Sequence, residues 1–167
     1  MLILSVDPGL SGAIAFLGDD WAQVCDLPTV QMEGEGTIRR RVHGPALQQL
    51  VMERIPEGER DIRFVIEALS TGGQVSSAQA NGSQYRTRGT IECLMECLGL
   101  QVHEVYARTW KKFFGLVGKK NGEDEAAKAR EIAMSLYPQL SSQLQRVRDH
   151  NRAEAVLVGH FFRKAKL

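Results

Sequence analysis

The 167-residue sequence has no apolar run approaching the roughly 18 residues that a bilayer crossing requires, which excludes a helical membrane span on hydropathy. Net charge is almost absent at +1, so the overall balance selects no class of partner. Cys25, Cys93 and Cys97 form no Cys-x-x-Cys pair, which removes zinc-ribbon and thioredoxin-type motifs. We expect three buried thiols in a reducing compartment. Met1 leads straight into LILSV, which lacks the basic flank and cleavage site of a secretory signal, so a cytoplasmic protein is expected.

Against those absences stand a hydrophobic fraction of 43% and a charged fraction of 25%, the balance of an ordinary globular chain. At this length about two-thirds of the unfolded surface is buried, and residues 1–167 are expected to form one domain. No internal repeat and no linker composition interrupts it.

LILSVD is mostly apolar, as a strand covered on both faces should be, and Pro8-Gly9 forces a turn after it. AIAFLG and AQVCDLP read as two further strands of a meander. Gln31 to Gly36 is turn-like. Pro45 to Arg54 carries Leu47, Leu50 and Val51 at helical spacing, and Pro56 stops it. Asp61 to Leu69 is β-branched and aromatic, hence a strand. The following STGGQVSSAQANGSQ is polar and aperiodic, a binding-type loop. Ile91, Leu94, Met95 and Leu98 mark an amphipathic helix closed by Gly99, and VHEVYA is another strand. Helices are expected over Glu123 to Leu136 and from Asn151 onward. The order βββαβαβαα implies an α/β fold, a mixed sheet with helices on both faces.

Four carboxylates stand where hydrophobic elements end: Asp7, Glu67, Asp149 and Glu154. Each alone is compatible with an ordinary role, as turn cap, surface ion pair or helix N-terminal acid. Gathered together, acidic oxygens repel one another unless a hard divalent cation neutralises them, and oxygen-only donors suit Mg²⁺ or Mn²⁺. Basic residues cluster at Arg39, Arg40 and Arg41, at Arg86 and Arg88, at Lys111 and Lys112, and at Lys119 and Lys120. With the uncharged donors Ser76, Ser77, Gln79 and Asn81 they suit a phosphate backbone. Trp110, among Phe113, Phe114 and Leu116, reads first as core and second as a base-stacking ring.

SVDPGLSGAIAF, IEALSTGGQVSSAQANG, RTWKKFFGLVG and DHNRAEAVLVGHF together resemble the motifs of the RuvC-like Holliday junction resolvases, phage and bacterial branch, within the ribonuclease H-like superfamily. The resemblance spans nearly the whole chain. It implies a five-stranded ribonuclease H-like sheet and a homodimer that nicks four-way or other branched DNA in pairs. It further implies two Mg²⁺ (or Mn²⁺) ions per active site. Asp7 would bridge them, Glu67 would hold one, and Asp149 with Glu154 would hold the other. One ion would activate the attacking water and the second would stabilise the leaving 3′ oxygen, giving 5′-phosphate and 3′-hydroxyl ends.

The chain also departs from the family pattern. Asn151 stands where a second acid is usual, three residues before Glu154, while Asp149 lies five before it. His150 is therefore a candidate for metal ligation or water activation. The position three after Glu67, aromatic in some relatives, is Ser70. Two other classes remain open on residues alone: a noncatalytic junction-binding module, and an actin-like nucleotide-binding protein, against which the length argues. The helix face of Ile91, Leu94, Met95 and Leu98 is the expected dimer contact, with core packing as its alternative.

Overall fold

The structure, a computed structural model, describes residues 1–33, 39–69, 78–117 and 122–165. Five strands form the main sheet: β1 (Leu2–Asp7), β2 (Ala13–Leu17), β3 (Ala22–Asp26), β6 (Ile62–Ala68) and β7 (Val102–Tyr106). Their order is β3-β2-β1-β6-β7, with β1 central. β1 pairs antiparallel with β2 and parallel with β6, and β6 pairs parallel with β7. This is the mixed five-stranded α/β sheet that the element order implied.

Both faces are covered, which is why β1 and β2 are almost uniformly apolar. Ile3, Val65 and Val105 face a core closed by α3 (Ala107–Phe113), α4 (Gly122–Leu136) and above all α5 (His150–Ala165), whose Ala155, Val156, Val158 and Phe162 are buried. Leu4, Val6, Phe64 and Ile66 face a second core closed by α1 (Gly44–Arg54) and α2 (Ala78–Cys97). Gly159 lets α5 lie close to the sheet, since a β-carbon there would meet the Ser5 hydroxyl and come within 2.8 Å of Leu17 Cδ1. Ser5 donates a 2.7 Å hydrogen bond to the Ala155 carbonyl, a buried tie between strand and helix.

Several expectations are corrected. A two-stranded antiparallel hairpin, β4 (Thr29–Met32) with β5 (Arg39–Val42), flanks part of the segment read as a plain turn. α2 starts at Ala78, so the second half of the polar stretch is helix rather than loop. Ile91 and Met95 are fully buried in the second core with Leu94 and Leu98 packed on it, so that face is core and no free dimer contact. Cys93 and Cys97 are exposed and Cys25 is half-buried, because both helix cysteines fall off the apolar stripe. Among the described residues no helix is long and apolar enough to cross a membrane.

Candidate active site

The parallel register of β1 and β6 runs from Leu2 opposite Ile62 to Val6 opposite Ile66, which brings Asp7 and Glu67 to the same level at the carboxyl edge of adjacent strands. Strand alternation places both on the face covered by α5, the side shared by Ile3, Ser5 and Val65. The turn after Asp7 is tight: Gly9 N–H donates to the Asp7 carbonyl at 3.0 Å, and Gly12 N–H to the Gly9 carbonyl at 2.9 Å. Gly12 is required there, since a β-carbon would collide with the Asp7 carbonyl oxygen.

Glu154 enters the same spot from α5, which starts at His150, one residue before the start its sequence suggested. Three carboxylates therefore feel one another. The Asp7 carboxyl is pushed up to about 8 by burial first, then by the negative charges of Glu154 and Glu67, with Lys111 pulling the other way. Glu67 is raised by burial and by Glu154, against a hydrogen bond from Trp110.

Two neighbours that residue types alone did not identify complete the cluster. The indole N–H of Trp110, 0% exposed, donates 2.7 Å to Glu67 Oε2, so this ring is core, as expected, and also fixes the carboxylate's orientation. Lys111 Nζ lies 2.7 Å from Glu125 Oε1 and 3.3 Å from Glu154 Oε1. It was expected on the DNA-contacting surface; here its ammonium is the internal counter-charge of the acids. Its pKa is raised by Glu154, Glu125 and Glu67 although burial opposes this. Glu125 thus joins as a fourth nearby acid. Among the described residues no three His, Cys, Asp or Glu side chains are already drawn tightly enough to hold an ion.

Asp149 stands elsewhere. At 2% exposure it accepts hydrogen bonds from the Arg146 backbone N–H at 2.9 Å and from the Arg146 guanidinium at 2.9 to 3.2 Å, with Arg152 3.8 Å away. Those hydrogen bonds hold its carboxyl below the usual carboxylate range. The expected fourth ligand is thereby engaged at the entrance to α5, with both oxygens committed. Arg152 also grips Asp26 at the end of β3 through two bonds of 2.6 and 2.7 Å. Asn151 donates 2.7 Å to the Ser11 carbonyl in the turn that follows Asp7. His150 Nδ1 lies 3.2 Å from the Val147 carbonyl.

Of the expected phosphate contacts, Arg86 and Lys112 are exposed, as is Asn81, which is engaged by a neighbouring group. Arg88 is buried: it pairs with Glu92 at 2.7 Å and with Glu104, and donates 3.1 Å to the Glu67 carbonyl. This network removes it from the surface and makes it a brace of β6. Arg40 and Arg41 are exposed on the hairpin. Ser76, Ser77, Lys119 and Lys120 lie outside the described residues, as does the side chain of Gln79.

A mixed sheet in this order with helices on both faces is a ribonuclease H-like α/β fold, similar to that of solved RuvC structures. Two solved structures carry the comparison, both of RuvC from Thermus thermophilus, one of them in complex with a Holliday junction substrate. Each matches at a TM-score of 0.53 and 13% identity, over 99% of this chain and 96% or 97% of theirs. No family model and no curated protein matches the sequence.

Proposed function

We propose that this protein is a divalent-metal-dependent, structure-selective endodeoxyribonuclease that resolves Holliday junctions and other branched DNA by paired nicking. The observation that carries the proposal is the convergence of Asp7, Glu67 and Glu154 at one sheet edge, at the cost of lifting the Asp7 carboxyl to about 8. Likeness to a RuvC fold over nearly the full chain supports the same reading.

The donor set fits a hard cation: it is all oxygen and crowded with negative charge, with one lysine ammonium beside it. Asp7, Glu67 and Glu154 would hold Mg²⁺ or Mn²⁺, two per site, with Asn151 and Glu125 beside them and no part for Asp149. When bound, the ions supply an activated water and charge stabilisation at the leaving 3′ oxygen, consistent with 5′-phosphate and 3′-hydroxyl products. Trp110 fixes one Glu67 oxygen so that the carboxylate does not rotate away. Lys111, held between Glu125 and Glu154, would add a positive charge next to the carboxylates, where it could offset negative charge on a bound phosphate. Arg40, Arg41, Arg86 and Lys112 would track the backbone through salt-sensitive contacts.

Residues 1–167 act in this reading as one nuclease domain. Two copies would be needed, since equivalent nicks across a two-fold junction require two sites related by a two-fold axis. A second reading, a noncatalytic junction-binding module, is favoured by the Lys111 to Glu154 ion pair, which already neutralises part of the site. Digestion of a panel of synthetic four-way junctions, forks, flaps and linear duplexes in Mg²⁺ separates the two. Paired nicks near the branch of the junction are expected; tight junction binding with no product in Mg²⁺ or Mn²⁺ would establish the second reading instead.

A further inference from the structure

Lys111 follows Trp110 on α3, and its ammonium lies 5.2 Å from the centroid of the indole whose N–H is on Glu67. From there it reaches acids on two other helices. Glu154 of α5 is 3.3 Å away and Glu125 of α4 is 2.7 Å away, so the acid that lies off the sheet edge holds it more closely. None of the three side chains is more than 25% exposed, which leaves their charges less screened than those of a surface pair. The place of Glu125 follows from how α3 ends. Gly115, at φ +63°, turns the chain, and the buried Leu116 donates 2.8 Å to the Lys111 carbonyl. The Lys128 ammonium, one turn after Glu125 on α4, then donates 3.2 Å to the Gly115 carbonyl. Glu125 and Lys128 thus fasten one side of α4 to the end of α3.

We propose that Glu125 is a positioning residue: it draws the Lys111 ammonium aside, so that Glu154 can take a divalent cation while the ammonium stays beside the site. The inference rests on the metal-dependent reading and deepens it. Without Glu125, Glu154 would be the one remaining acidic contact of this ammonium among the described residues. The ammonium would then close on that carboxylate and compete with a cation for the same oxygens. With Glu125 opposite, an arriving cation displaces only the longer of the two contacts. Glu125 holds no cation itself and acts through Lys111, which makes its effect conditional on the lysine.

A double-mutant cycle tests this condition. Mn²⁺ binding to wild type, Glu125→Gln, Lys111→Met and the double variant is measured without DNA, at one fixed pH, from the electron paramagnetic resonance of the free ion. Thermal melting checks folding, and Glu125→Ala repeats the cycle should the glutamine variant melt early. Glu125→Gln alone should bind Mn²⁺ roughly tenfold more weakly, because the ammonium falls onto Glu154. In the Lys111→Met background the same substitution should change affinity by less than about twofold. In junction cleavage the Mg²⁺ concentration that gives half the maximal rate should rise roughly tenfold in Glu125→Gln, with the maximal rate itself within about threefold of wild type. Equal weakening of Mn²⁺ binding in both backgrounds would make Glu125 a ligand or a plain source of negative charge. That result, or no weakening in either background, overturns the positioning role and leaves the metal-dependent reading intact. A wild-type protein that binds no Mn²⁺ overturns both.

Discussion

Replacing Asp7 by asparagine should make the metal-free protein more stable, although it destroys the proposed site. Free in an unfolded chain, this carboxyl ionises near 3.8; in the folded protein it is held to about 8. Between those values the unfolded chain has released a proton that the folded chain retains. Metal-free stability therefore falls as pH rises through this window and is fully present only near and below pH 4. About four units at roughly 1.4 kcal/mol each set a ceiling near 6 kcal/mol, which rearrangement of Lys111 and water entry will reduce to about 2–4 kcal/mol. The asparagine variant avoids this penalty, so at pH 8 in EDTA its melting temperature should rise by roughly 5–10 °C. At pH 4.5 the two proteins should converge. Saturating Mg²⁺ should raise the wild-type curve at pH 8 and leave the variant unmoved, because a cation replaces the missing proton only where the carboxylate exists. Urea unfolding at both pH values, with and without Mg²⁺, reads all four conditions. A variant no more stable than wild type at pH 8, or stabilised equally by Mg²⁺, would refute the electrostatic reasoning.

Glu154→Gln should abolish cleavage in a Mg²⁺ junction assay, whereas Asp149→Asn should keep it in the cold while losing about 1–2 kcal/mol in urea unfolding, since the charge-assisted hydrogen bonds from the exposed Arg146 side chain to the buried Asp149 carboxylate are weakened. The Asp149 carboxyl is held below its ordinary value, so its stabilisation is present above about pH 4 and lost as pH falls through the depressed value; wild type and variant should converge in acid. Trp110→Phe keeps the burial but removes the N–H on Glu67, and single-turnover cleavage should slow roughly tenfold with junction affinity unchanged. Gly159→Ala should cost about 1–3 kcal/mol in thermal melting, because α5 must back away from Ser5 and Leu17.

The strand-end acids were legible because a carboxylate closing an apolar run has few places to go, and the parallel register then aligns Asp7 with Glu67. Glu154 followed from the spacing of α5. Asp149 was not separable by type or position: an acid at a helix entrance serves equally as ligand or cap, and the deciding neighbour is Arg146, three residues earlier. Trp110 was read as buried, but its partner lies 43 residues away, a contact that no local pattern encodes. Lys111 with Glu125 is hidden for the same reason. The β4–β5 hairpin escaped notice because RRRV has a polar pattern and weak strand propensity. The cysteine misreading was avoidable, since Ile91, Leu94, Met95 and Leu98 already define the buried stripe of α2 and Cys93 and Cys97 fall beside it.

Anomalous difference maps from crystals soaked in MnCl₂ bear most directly on whether the acids share metal ions. Peaks about 2.0–2.3 Å from oxygens of Asp7, Glu67 and Glu154, with Lys111 moved off Glu154 and Asp149 still on Arg146, are the predicted result. Empty density among those three carboxylates at millimolar Mn²⁺, or a peak held by Asp149 instead, would contradict it.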